Sequence, residues 1–363
     1  MKNERLYDLD WIKVIATLIV FLFHCAMFFN PFPWHVKNNE LDYSFILYFS
    51  LITTSWIMPI FFIISGMSVK YALKRRSNST FIVERFTRLG FPLLAGVFLL
   101  SPHQVYIERV TLGQYEGNFL SFLPNYFNGP YLEIGGDGNF AFMGLHLWYV
   151  LALMLFSFLC LPLFKKINVP PVPFYRLHFI VTIPLLLFGI SFINIVNLGG
   201  WDLTFYLVLF LLGYYFAAND LFRKNVTALG SIFIIVALIS SFALLFLFSK
   251  ELASTPTYSF IRVISCWSWA VSIFYLASKY LNFHHKLLQY TSEASMPFYV
   301  LHQPVIVLVG YYLYQQPWVL PVKAVLIVIT SFVFIMIMYH FIFRRVNFLR
   351  VLVGLKTKKD YSL

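Results

Sequence analysis

The chain has 363 residues, 60% of them hydrophobic, 20% aromatic and only 12% charged, with a formal net charge of +12 and a mean hydropathy of +0.75. A soluble protein runs at about 45–50% apolar and about 25% charged, so a fold surrounded by water would lack the polar residues to cover its surface. The bilayer is the solvent this composition fits. The apolar residues fall in blocks rather than in strict alternation. That predicts helices and not barrel strands, the two arrangements in which a lipid-embedded backbone satisfies its own hydrogen bonds.

In chain order the blocks predict ten spans, near 11–30, 44–69, 89–108, 143–164, 178–197, 202–218, 227–248, 259–279, 294–314 and 321–343. The expected fold class is all-α, a polytopic membrane helix bundle of about ten transmembrane helices forming a single domain over 1–363. An even number of spans puts both termini on one side. If that side is the cytoplasm, only Lys37, Arg109, Lys250, Arg262 and Lys323 of the 27 Lys and Arg fall outside, as the positive-inside rule requires. The positive charge therefore expresses topology and attraction to anionic lipid heads, and nothing further points to nucleic acid. The first apolar run carries Lys13 and His24 and no small-residue cleavage site, so it is expected to remain as a helix rather than be removed as a signal peptide.

Between the spans, residues 70–88 form a basic cytoplasmic arm in which Asn78, Ser79 or Thr80 is placed to cap a helix running into the third span. Residues 109–142 form the longest loop, outside, rich in turn signals such as Asn128-Gly129-Pro130 and Gly135-Gly136-Asp137-Gly138. A loop of that length on an otherwise economical chain is usually functional. Pro59, Pro92, Pro102 and Pro297 lie in or at the ends of spans, where they bend helices or widen a cavity. Cys25, Cys160 and Cys266 lie within spans without metal-ligand spacing, so no disulfide framework and no metal site is expected.

An ionisable group at mid-helix costs about 2.5–3.5 kcal/mol on insertion scales and tends to line a cavity. Asp10, Lys13 and His24 are separated by three and eleven residues, which brings all three to one face of the first helix. His24 then stands about 16 Å above Lys13, at about 1.5 Å per residue. A core histidine bonded to a neighbour is the alternative reading. Arg85 and Arg88, at i and i+3, are spaced to hold a phosphate or carboxylate, or else to snorkel to lipid phosphates. Tyr299 and His302 share a face of the ninth span, and His146 and Trp148 open the fourth from outside, where Trp is commonly a membrane anchor. There is no phosphate-binding glycine loop, dinucleotide fingerprint, nucleophile elbow or zincin motif. A carrier of hard chemistry would have to arrive as a co-substrate.

Five stretches occur in order: Leu9-Asp10-Trp11-Ile12-Lys13 through His24, Phe61-Phe62-Ile63-Ile64-Ser65-Gly66-Met67, Arg85-Phe86-Thr87-Arg88-Leu89, His146-Leu147-Trp148-Tyr149 and Phe298-Tyr299-Val300-Leu301-His302. Together they resemble the acyltransferase 3 family of bacterial integral membrane acyltransferases. Trp34-His35-Val36-Lys37-Asn38-Asn39-Glu40 resembles its glucan-modifying branch. The resemblance implies an enzyme of the bacterial inner membrane that moves an acetyl or succinyl group from cytoplasmic acyl-CoA to a hydroxyl of an extracytoplasmic carbohydrate, with acyl-CoA as co-substrate and no bound cofactor.

It also implies roles. His24 is the catalytic base or a transient acyl acceptor, with Tyr299 or His302 as its polar partner or oxyanion donor. Asp10, Lys13, Ser65, Lys70, Arg85 and Arg88 shape the donor site. Trp34, His35, Asn38, Asn39, His146 and Trp148 form the acceptor site. Lys13 stands where the family has an arginine, which keeps the charge and loses the two-pronged geometry. The competing class is a transporter or flippase of an acylated or phosphorylated lipid or sugar, since ten helices with proline breaks and embedded histidines also suit alternating access.

Overall fold

The structure is a computed structural model that describes residues 6–167, 176, 178–198 and 200–358. Lys2, Glu4, Arg5, Lys359 and Asp360 of the charge asymmetry lie outside the described residues. The described chain is nearly all helix. In order come α1 (Tyr7–Met27), α2 (Phe45–Leu73), α3 (residues 78–111), the short α4 (Phe119–Phe122), α5 (Trp148–Leu159), α6 (Leu161–Lys166) and α7 (residues 178–190). After a two-residue antiparallel ribbon, in which β1 (Asn197–Leu198) pairs with β2 (Trp201–Asp202), follow α8 (residues 203–217), α9 (Asp220–Ser249), α10 (Pro256–Tyr280), α11 (Lys286–Leu313), α12 (residues 320–343) and α13 (Asn347–Leu352).

Among the described residues, six helices are long and apolar enough to cross a membrane by length and composition: α1, α2, α9, α10, α11 and α12. The fourth, fifth and sixth expected spans are represented by the shorter apolar helices Leu145–Leu159, His178–Ile190 and Leu203–Ala217. The third is the interrupted α3. Two π-helical stretches, Phe86–Gly90 and Gly96–Leu100, precede Pro92 and Pro102 closely. Both prolines lack the N–H that would close the helical ladder, so the backbone adjusts around them. Ser77, one residue before the expected candidates Asn78, Ser79 and Thr80, caps α3: its Oγ accepts from the Thr80 N–H at 3.3 Å.

The chain divides into two compact units. The first comprises residues 1–16, 51–81 and 156–292. Within it α2 and α8 approach backbone to backbone, since a Cβ on Gly66 would stand 2.0 Å from the Phe210 oxygen and one on Gly213 would stand 2.1 Å from the Ile63 oxygen. Small residues let membrane helices come this close. α9 and α10 form an antiparallel hairpin in which Gly230 admits the Tyr275 ring, and Ser55 of α2 bonds Ser265 of α10 at 3.1 Å. At the start of α1, Asp8 pairs with Arg223 at 3.2 Å.

The second unit comprises residues 17–50, 82–155 and 293–363. Its core gathers Phe21, Cys25, Phe28 and Phe29 of α1 with Phe298, Leu301, Val305 and Ile306 of α11 and Ile327 and Ile335 of α12. The long loop folds back along α3, where the Tyr126 hydroxyl donates to the Val97 carbonyl at 2.7 Å, fourteen residues and about 20 Å before the helix ends. Val97 is the residue whose π-helical partner would be the N–H that Pro102 lacks. The loop thereby covers the polar stretch of α3: Ser101, Gln104, Glu108 and Arg109 are all buried. The three cysteines are buried and free, as expected of packing residues.

Candidate active site

The second unit draws together side chains from α1, α3, α11, the segment after α1 and the turn before α5. His24 projects from the last turns of α1. Its Nδ1 lies 2.9 Å from the Val20 carbonyl and 3.1 Å from Nε2 of His302. A carbonyl only accepts, so His24 carries its proton on Nδ1 and shares it between Val20 and His302. His302, buried on α11, has Nδ1 2.6 Å from the Tyr299 carbonyl, which fixes its proton on Nδ1 and makes Nε2 the acceptor facing His24. The Nε2 of His24 has no hydrogen-bond partner among the described residues and keeps accessible surface. One imidazole thus offers an available lone pair, backed by a second imidazole that receives its other N–H.

Proline chemistry places a third ring. Pro304 lacks the N–H that would bond the Val300 carbonyl, and His146 Nε2 fills that position at 3.1 Å. The Tyr299 hydroxyl donates to the carbonyl of His146. The ring centroids of His302 and His24 are 4.8 Å apart, and those of His302 and His146 are 5.0 Å apart. Trp34 leans over His24 with centroids 5.2 Å apart.

A second network lies beside the first. Glu108 is fully buried and accepts from His35 Nδ1 at 2.5 Å, the Tyr131 hydroxyl at 2.7 Å and the Gly135 N–H at 2.9 Å. Arg109 binds Asn139, Gln114 and the Gly138 carbonyl, which ties the long loop to the end of α3. Gln303, next to His302, donates to His35 Nε2 at 3.1 Å and to Gln104 Oε1 at 3.0 Å. Burial, then the neighbouring Glu108 charge, push the Tyr131 phenol far above its ordinary value, so it remains a donor.

Of the residues singled out in the sequence, His24, Tyr299, His302, His146, Trp34 and His35 meet here. Trp148 is buried at the start of α5 and so is not an exposed interfacial anchor. Both ends of the Asn38 amide are committed, its oxygen to Lys323 Nζ at 2.9 Å and its nitrogen to the Glu40 carbonyl at 2.8 Å. Asn39 is exposed. Arg85 and Arg88 lie in this unit on α3, half-buried and exposed respectively. The π-helical register between them turns about 80° per residue instead of 100°, which spreads the pair further around the helix than an α-helical spacing. Asp10, Lys13, Ser65 and Lys70 fall in the first unit, where Ser65 is buried beside the Gly66 crossing and Lys70 Nζ donates to Asn219 at 2.9 Å.

Sequence reading passed over Glu108, Gln104, Gln303 and Tyr131. The usable signal was the run of polar residues from Ser101 to Arg109 in and just beyond an expected span. Among the described residues no group of three or more His, Cys, Asp or Glu could hold a metal ion.

Residues 6–340 match a family model described as an acyltransferase domain. The chain belongs to the acyltransferase 3 family. His24 of α1 and His302 of α11, which close the first and last of the five stretches quoted above, are in contact. Among curated proteins, glucans biosynthesis protein C of Escherichia coli strains K12, 536 and HS is 28% identical to the chain over 172 residues, 46% of this chain and 40% of each relative. The matched stretch is thus less than half the length of those relatives. No solved structure matches the chain.

Proposed function

We propose that this protein is a membrane O-acyltransferase that moves an acetyl or succinyl group from cytoplasmic acyl-CoA to a hydroxyl of an extracytoplasmic carbohydrate, such as a glucan, in the bacterial inner membrane. The observation that carries the reading is the fixed tautomer of His24. With its Nδ1 proton held by Val20 and His302, the accessible Nε2 is a lone pair ready to take a proton. In the reaction, Nε2 takes the proton of the acceptor hydroxyl and the oxygen attacks the thioester carbonyl. The carbon–sulfur bond breaks, and the departing CoA thiolate takes the proton back from His24. His302 receives the Nδ1–H of the imidazolium that forms in between. Arg85 and Arg88 bind the donor's phosphates. The glucan acceptor is supported by the name of the E. coli relatives and by the Trp34 to Glu40 segment, whose Trp34 borders His24 and in turn His35.

The test is transfer of radiolabel from acetyl-CoA or succinyl-CoA to a glucan by protein in proteoliposomes. His24→Ala should fold, bind donor and lose about 10²–10⁴-fold in rate, the range for a general base. Transfer at the native rate would refute the assignment. Arg85→Ala and Arg88→Ala should weaken donor binding, and unchanged affinity would return both to lipid phosphate contact. Passage of unlabelled, unmodified sugar in place of labelled product would identify a transporter.

A further inference from the structure

The exposed side of α3 is apolar only as far as Leu99. Phe91, Leu94, Phe98 and Leu99 are exposed there, whereas the next turns of the same side carry His103, four residues after Leu99, and then Tyr106. Over this polar continuation the long loop lays Phe119, stacked on the His103 ring with centroids 4.0 Å apart and edge-on to Tyr106 at 5.5 Å. Phe122 and Tyr126 of the same segment are buried with Val105 of α3. Its remaining large side chains, Leu120, Leu123 and Phe127, point outward, and Leu120 is 74% and Phe127 59% exposed. Phe140 joins the two surfaces, with its ring centroid 5.6 Å from that of Phe127 and 6.3 Å from that of Phe98. The exposed apolar side of α3 therefore continues onto the loop.

The charges of the loop lie away from this segment. Glu116, Glu133 and Asp137 are exposed and neighbour the residues tied to the end of α3, where Gln114 and the Gly138 carbonyl accept from Arg109 and the Gly135 N–H donates to Glu108. Backbone surrounded by hydrocarbon must satisfy its own polar groups, and this segment does so locally. Asn118 caps it, accepting the Ser121 N–H on its side chain at 2.9 Å and the Phe122 N–H on its carbonyl at 3.2 Å. Pro124 has no N–H to satisfy, and the Asn125 carbonyl accepts from both the Asn128 N–H and the Asn139 amide.

We propose that residues 119–127 are embedded in the membrane, with Leu120, Leu123 and Phe127 against lipid acyl chains beside the C-terminal half of α3. Lipid is the occupant because this is a multi-pass membrane protein and the three side chains extend an apolar surface of one of its helices. The segment then screens the buried Ser101, Gln104, Glu108 and Arg109 from hydrocarbon, where ionisable groups are costly. The inference does not depend on which group the enzyme transfers or to what.

Nitroxide labels on Leu120→Cys, Leu123→Cys and Phe127→Cys, each in the full chain with Cys25, Cys160 and Cys266 changed to alanine and reconstituted in phosphatidylcholine vesicles, test it. Electron paramagnetic resonance reads collision with oxygen, which partitions into lipid, against collision with a nickel chelate, which stays in water. The three labels should favour oxygen several-fold and lie about 5–10 Å below the headgroup boundary, the depth of an interfacial apolar face. Labels on Glu116→Cys and Glu133→Cys should favour nickel. A nickel preference at 120, 123 and 127 equal to that at 116 and 133 would overturn the proposal and put the segment in water. Low collision with both agents would also overturn it, and spectral broadening that disappears on dilution with unlabelled protein would then identify a second copy of the chain as the cover. If the cysteine-free chain does not fold, the unaltered protein decides in vesicles whose lipids carry a diazirine on the acyl chain: photolabelled residues within 119–127 support the proposal, and labelling confined to the long helices overturns it.

Discussion

Replacing Glu108 by alanine removes a carboxylate that three donors address at 2.9 Å or less, His35 Nδ1, the Tyr131 hydroxyl and the Gly135 N–H, with Arg109 Nη1 at 3.5 Å. Hydrogen bonds to a charged group are each worth about 1.5–3 kcal/mol, and they do not add independently within one network. The larger consequence is that Arg109, buried at 4% exposure, keeps its charge without a carboxylate beside it. Breaking a buried pair in this way costs about 3–5 kcal/mol, and we expect Glu108→Ala to lose that amount. Glu108→Gln removes the same charge but keeps the shape and an amide oxygen as acceptor, while setting one amide N–H against a donor, so its cost should fall below that of the alanine variant. Denaturant titration in detergent micelles measures both values. Cleavage by a Glu-specific protease at Glu116 and Glu133, both exposed in the loop, should accelerate in the same order as the latch loosens. An alanine variant within about 0.5 kcal/mol of the parent, the range of an ordinary surface change, would refute the claim that Glu108 fastens the loop to α3.

Gly66→Leu and Gly213→Val should each prevent accumulation of folded protein, because their Cβ atoms would meet helix backbone at 2.0 and 2.1 Å, whereas the exposed Gly189, with open space around it, should accept alanine; size-exclusion profiles of the three distinguish them. Burial holds the Lys37 ammonium down at about 8, against 10.5 ordinarily, as it caps the end of α1 through the carbonyls of Met27, Asn30 and Phe32. Between those values the unfolded chain holds a proton that the folded one has released, so thermal stability should rise from pH 8 towards pH 10.5 and Lys37→Met should flatten that rise. His302→Ala deprives His24 of one of the two acceptors of its Nδ1–H and leaves the Val20 carbonyl; loss of one hydrogen bond of about 1.4 kcal/mol lowers kcat about tenfold. Donor and acceptor KM should hold, and His302→Gln should restore part of the rate. An unaltered kcat would remove His302 from the reaction.

Much of the helical framework was legible because hydrophobic blocks are a local property, and the expected spans find helices near their places. The cap of α3 was missed by one residue, since Ser77, Asn78, Ser79 and Thr80 are all capping types and only the backbone decides which oxygen meets a free N–H. The packing of the long loop against α3 was not legible because its polarity reads as exposure to water. Its Tyr126 and Tyr131 in fact spend their hydroxyls on Val97 and Glu108.

By itself the sequence determined the solvent, the helical class and which ionisable residues stand inside apolar stretches, because each of these depends on residues close together in the chain. Only the tertiary structure decided which nitrogen carries the proton in His24, His302 and His146. His146 and Val300 are 154 residues apart, and His24 and His302 are 278 apart. A proline announces locally that it has freed a carbonyl, but the donor that takes the freed oxygen, and so sets the tautomer and the available lone pair, comes from whichever helix the fold packs beside it.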